Sequence, residues 1–155
     1  MNPRVESVAR QLRDAGVVGE VCVLEAAAHT AALAAEQLGT EVGAIANSLI
    51  FDADGSPLLV MTSGAHRVDT AKVAALLGIA SLRRADPEFV RRHTGQAIGG
   101  VAPVGHPQPI GTLVDIELAR YEQIWAAAGH PSTVFPTSYA ELLRITSGTA
   151  AEVGE

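Results

Sequence analysis

Residues 94–107 read TGQAIGGVAPVGHP, with four glycines and two prolines in a mostly apolar frame. Adjacent Gly99 and Gly100 remove two side chains where the main chain has to approach another group closely. Pro103 fixes its own φ and withholds one donor. A loop of this kind can present main-chain N–H groups to a ligand. A bulged or kinked strand would use the same residues, and the local pattern leaves both readings open.

Other residue types with chemical capacity are scattered. Five histidines, at 29, 66, 93, 106 and 130, show no i, i+4 pair or other metal-ligand spacing. They read as surface or capping residues, and neither a metal nor a cofactor is expected. His106 and His130 stand apart because each adjoins a Gly-Pro segment; His130 precedes Pro131, which biases it to an extended shape. Ser63 follows a strand, but no nucleophile elbow surrounds it. Lys72, the single lysine, reads as solvated on its helix. Cys22, the single cysteine, excludes an internal disulfide and reads as a small buried hydrophobe in VCVLE. DADG at 52–55 resembles the start of a calcium loop, yet the later ligands and closing glutamate are missing. There is no P-loop and no dinucleotide fingerprint.

The elements that must position these groups follow from periodicity and caps. Val5, Val8, Ala9 and Leu12 mark one face of a helix over 3–15. Thr30, Asp69, Asp86 and Ser138 read as N-caps of helices over 31–38, 70–77, 87–93 and 139–146. Strands are expected at 20–25, 44–51, 57–63, 81–83, 98–103, 110–115, 121–127 and 134–136, with Asp54-Gly55 turning a hairpin. The tail after Gly148 is expected to fray. This order predicts one α+β domain over 1–155, with a curved, barrel-like mixed sheet flanked by helices.

At 155 residues the chain is long enough to bury a sizeable core, and 48% of it is apolar. The N-terminal residues are charged throughout, and no run approaches a membrane span, so a cytoplasmic protein is expected. The net charge of −6 argues against general affinity for nucleic-acid backbone. Arg83, Arg84, Arg91 and Arg92 form either a small basic footprint or solvated helix-face charges.

Taken in order, several segments together resemble the YbaK/ProX-type aminoacyl-tRNA deacylases, free-standing relatives of the editing domain of bacterial prolyl-tRNA synthetases. They are His29-Thr30-Ala31 opening a helix that ends in Leu38-Gly39, the strand IANSLIF at 45–51, and the hairpin return Leu58-Leu59-Val60. Arg67-Val68-Asp69 before the Lys72 helix, Ala85-Asp86-Pro87 and the 94–105 glycine stretch complete the resemblance, which covers about 28–147.

The resemblance implies hydrolysis of the ester joining a small mischarged amino acid to the terminal adenosine of a tRNA, with the glycine loop presenting backbone donors. It implies a tRNA acceptor end as partner, with a synthetase as a further candidate, and leaves the oligomeric state open. It places Asn47 and Gly100 at the reacting centre. Around the substrate it places Thr30, Ser48, Ser63 and Arg67, together with Gly99, Val101, Pro103 and His130. In the family a lysine usually stands where this chain has Asn47. Asparagine is shorter and neutral and supplies no point charge to phosphate. Two expectations follow: an active deacylase in which another cation such as Arg67 compensates, or a binding module that has lost turnover.

Overall fold

The computed structural model describes residues 2–154. Local chemistry sets the helices. α1 (Pro3–Asp14) is capped by Asn2 and α2 (Ala31–Leu38) by Thr30. Asp69 caps α3 (Thr70–Leu77), Asp86 caps α4 (Pro87–Thr94) and Ser138 caps α5 (Tyr139–Thr146). Each capping side chain accepts a main-chain N–H of the first turn that would otherwise lack a partner. Gly39, Gly78 and Gly95 end α2, α3 and α4 in the left-handed region, where a Cβ is penalised.

Eight strands form one mixed sheet: β1 (Cys22–Val23), β2 (Ile45–Ala53), β3 (Ser56–Ser63), β4 (Leu82–Arg84), β5 (Gly111–Asp115), β6 (Ile124–Ala127), β7 (Thr133–Thr137) and β8 (Thr149–Ala151). Their order is β1-β7-β6-β2-β3-β5-β8, with β4 added to β2. The spine is the β2–β3 hairpin, paired antiparallel from Ala46↔Ser63 to Ala53↔Ser56. Asp54 (φ 51°) and Gly55 (φ 96°) turn it, and Asp52 accepts the Gly55 N–H at 2.7 Å. Two positive φ values in a two-residue loop match the twist of the flanking strands.

From Leu58 onward β3 is buried on both faces, which is why Leu58 to Met61 read as an unbroken apolar run. Leu59 and Met61 pack with Val8, Leu12, Phe135 and Leu142 beneath α1 and α5. Leu58 and Val60 face the other way, toward Val73 and Ala74 of α3. A third, smaller cluster joins Ala31, Ala34 and Ala35 of α2 to Ile45, with Trp125 against it. The chain is therefore α+β, with the mixed sheet flanked by helices.

Several expectations change. The 20–25 strand shrinks to two residues of an edge strand, and Cys22 is exposed, because β1 meets β7 alone. The 98–103 strand is absent; a turn with Gly99 at φ 91° takes its place. Arg83 and Arg84 lie on β4, not on a helix face. The tail is ordered: β8 runs parallel to β5, Val68 bridges to Gly154, and Lys72 Nζ donates to the Gly154 carbonyl at 2.7 Å rather than standing solvated. Val153 is fully buried in the α3 cluster, so apolar burial holds this end down. Val153→Ala is expected to cost about 2 kcal/mol of unfolding free energy, read from the denaturant midpoint at unchanged slope. A change within about 0.5 kcal/mol would mean the tail does not pack.

Candidate functional site

The site begins with an interruption in the sheet. One edge of β2 is met by β6 at Ile45 and Ala46 and by β4 from Phe51 to Ala53. Between these patches, Asn47, Ser48 and Leu49 have β3 on one side and no strand on the other. The Ala85 N–H donates to Ile50 O across this open edge at 3.3 Å. Main-chain groups alternate between edges, so Ser48 directs its N–H and C=O into the same gap. A cavity of about 1010 Å³ opens there, at the upper end of the roughly 300–1,000 Å³ of small-molecule sites.

Its wall holds Thr30 at the start of α2, Asn47 and Ser48 of β2, and Arg67 of the loop after β3. Gly99 and Val101 of the glycine loop complete it from across the gap. Asn47 is half-buried, and its amide is hydrogen-bonded to no described residue. Its cross-strand neighbour is Thr62. Ser48 Oγ lies 3.2 Å from Met61 Sδ, which leaves its main chain as its contribution to the gap.

The glycine loop is held from behind. Gln96, almost fully buried, accepts the Ala102 N–H at 2.7 Å and donates to Val104 O at 3.1 Å. His106 donates from Nε2 to Ala102 O at 2.8 Å. Burial pushes the His106 imidazole below its ordinary value of 6.5, with the Ala102 hydrogen bond acting weakly against that. Gly100 donates to Ala97 O at 3.3 Å, and its carbonyl accepts the Gly129 N–H at 3.0 Å. A Cβ on Gly100 would lie 2.6 Å from the His130 carbonyl carbon. Glycine is required there so that the loop can lie directly on the 129–131 turn. Among the described residues, no acceptor takes the Gly99 or Val101 N–H. With Ile98, they are the loop residues in the wall whose N–H groups are free among the described residues.

Gly100, Pro103, Ser63 and His130 are not among the residues of the wall. Pro103 is buried. Ser63 is fully buried, donating to Gly43 O at 2.8 Å and accepting the Ala65 N–H at 3.2 Å. His130 is exposed, with Nδ1 accepting the Ser132 N–H at 3.1 Å.

The sequence reading did not place three of the wall's groups in the site, although it named Arg84 in a possible basic footprint. His66 lines the cavity, and its Nδ1 lies 3.0 Å from Asp115, a fully buried carboxylate that also accepts the Ser63 and Glu117 N–H groups and the Thr62 hydroxyl. Arg84 reaches the wall from β4 and Trp125 from β6. The TSGAHR loop is the one local signal for His66; nothing near Asp115 in sequence announces the pairing. Among the described residues, no cluster of metal-binding side chains occurs, and no helix is long and apolar enough to cross a membrane.

The family model described as an aminoacyl-tRNA editing domain matches residues 25–145. The protein YwhH of Bacillus subtilis is 29% identical over 124 residues, covering 79% of this chain and 78% of that one. A proline–tRNA ligase of Nitratidesulfovibrio vulgaris is 33% identical over 120 residues, covering 71% of this chain and 21% of the ligase. The chain thus spans about a fifth of such ligases. A crystal structure of a proposed trans-editing enzyme for prolyl-tRNA synthetase superposes with a TM-score of 0.94 at 39% identity, covering 100% of this chain and 99% of that one.

Gly100→Ala is expected to cost about 1–3 kcal/mol through that backbone clash. Gly111→Ala, whose Cβ meets nothing within 4 Å, serves as the neutral control in the same denaturant titration. His106 supplies a pH test. Its folded value lies below its unfolded one, so the unfolded chain binds the proton more readily. Stability present above about pH 6.5 is therefore lost as pH falls through the lowered value. His106→Gln should flatten that part of the stability–pH curve.

Proposed function

The chain belongs to the aminoacyl-tRNA editing domain family, and from that premise we propose that it hydrolyses the ester linking a small, wrongly attached amino acid to the terminal adenosine of a tRNA. The observation that carries this is the pair of free amides at Gly99 and Val101, set in one cavity with the unpartnered Asn47 amide.

Water adds to the ester carbonyl, and the carbonyl oxygen gains negative charge. Preorganised main-chain donors are suited to that charge, because they need no reorganisation as it develops. The carbon–oxygen ester bond then breaks. The ribose oxygen leaves with a proton, and the free amino acid and uncharged tRNA separate. Asn47 and the Ser48 main chain are assigned to orienting the acylated ribose. The neighbouring ribose hydroxyl positions the water. Thr30 and Arg67 are assigned to the substrate as wall residues. Gly100, Pro103, Ser63 and His130 are assigned to supporting the wall from behind. The amino acid pocket discriminates weakly, since one methylene is worth about 1–3 kcal/mol in an apolar site. The action is cytoplasmic, where tRNA is charged, and a synthetase is a candidate for delivering the substrate.

Asn47 also supports a second reading, a module that binds the charged 3′ end without turnover, because an amide carries no charge for phosphate. Purified protein incubated with alanyl-, cysteinyl-, seryl- and threonyl-tRNA separates the two. The deacylase releases at least one amino acid above the spontaneous rate; the module binds and releases none. For the deacylase, Asn47→Ala should lower kcat/KM about threefold to tenfold, the worth of one neutral hydrogen bond. Asn47→Lys should change the rate more than that. A gain would mean that a lysine suits this pocket, and a loss that the pocket is built around the amide.

A further inference from the structure

Charge is distributed unevenly between the cavity and the rest of the molecule. The chain carries 17 acidic residues and a net charge of −6, yet no described Asp or Glu lies in the cavity wall. The wall's full charges are Arg67 and Arg84. Four other cations are paired, Arg83 with Asp52, Arg120 with Glu117, Arg144 with Glu141 and Lys72 with Glu152, and Arg4, Arg10, Arg13, Arg91 and Arg92 lie outside this wall. Arg67 and Arg84 have no carboxylate among the described residues, and both are exposed.

Their placement is directional. Arg84 stands opposite Phe51 on β2, and Trp125 stands opposite Ile45 at the other end of the gap. Six residues of strand separate these positions, about 20 Å. Arg67 follows β3, beside the cavity wall formed by Val68 and Thr70. A ligand lying along β2 therefore meets Arg84 at the β4 end and an indole at the β6 end, with Arg67 in the wall from the loop after β3.

We infer that Arg67 and Arg84 grip backbone phosphates of the single-stranded 3′ end of the tRNA, just 5′ of the terminal adenosine. This rests on the editing reading above and adds the part of the substrate that it leaves unassigned. A guanidinium forks onto two phosphate oxygens, and its charge is permanent. Two such contacts let an acidic protein hold RNA locally, without general affinity for nucleic acid.

The test compares an RNA acceptor-stem hairpin ending in CCA, charged with whichever amino acid the tRNA panel releases, with the matching aminoacyl-adenosine, which has no phosphate. Arg67→Ala and Arg84→Ala should each lower kcat/KM for the hairpin at least tenfold more than for aminoacyl-adenosine. Arg83→Ala, outside the wall, should leave the ratio of the two substrates within twofold. Binding is read separately from the fluorescence of Trp125, the one tryptophan, on titrating the uncharged hairpin. Each alanine variant should reduce the slope of log K against log salt by about 0.7. Equal losses on both substrates, or unchanged salt slopes, would overturn the inference while leaving the deacylase reading in place. If the wild type hydrolyses neither substrate, the deacylase reading falls instead, and the salt slopes still decide the arginines. A wild type that neither hydrolyses nor binds the hairpin overturns both.

Discussion

Asn47, Ser48 and Leu49 are paired on one edge and open on the other, and the cavity exists because of that gap. A sheet edge inside a protein exposes N–H and C=O groups that need partners. Here β6 covers the start of the strand and β4 its end, and the middle is left to a ligand. Closing the gap with one more strand would satisfy the backbone and abolish the site. The long β2–β3 hairpin keeps the other edge of the same residues fully paired, so the gap remains a rigid slot.

Two buried polar groups hold the flexible walls of the slot. Asp115 gathers the end of β3, the His66 imidazole and the turn after β5 onto one carboxylate. The loop that carries Arg67 is thereby tied to the sheet one residue away. Gln96 plays the same part for the glycine loop, engaging Ala102 and Val104 with both ends of its amide. A buried polar group that is fully satisfied specifies one arrangement, because every alternative leaves it unpaired in a low dielectric.

Membership in the editing-domain family and the arrangement of the wall describe the same object from two sides. The prolyl-tRNA ligase match places a related domain inside a much longer chain. The trans-editing structure is matched almost end to end. In the wall, position 47 carries a neutral amide, and two arginines enter from β4 and from the loop after β3.

The helices and the hairpin were legible in the sequence because their causes are local. Thr30, Asp69, Asp86 and Ser138 each accept an N–H three residues on, and Asp54-Gly55 turns the chain within two residues. The glycine stretch could be singled out for the same reason, since residue type and immediate neighbours carry its signal, whereas Asn47 was picked out only through the family resemblance. The gap was not legible. Which residues of β2 lack a partner depends on where β4 and β6 arrive, from 30 and more residues away in the chain. His66 and Asp115, 49 residues apart, give no local sign of meeting. Nor does the tail announce that β5 and α3 will receive it. Sequence by itself determined the conformations that short-range hydrogen bonds and sterics enforce. The tertiary structure decided which polar groups were left without partners, because that is a property of what packs against a strand and not of the strand's own residues.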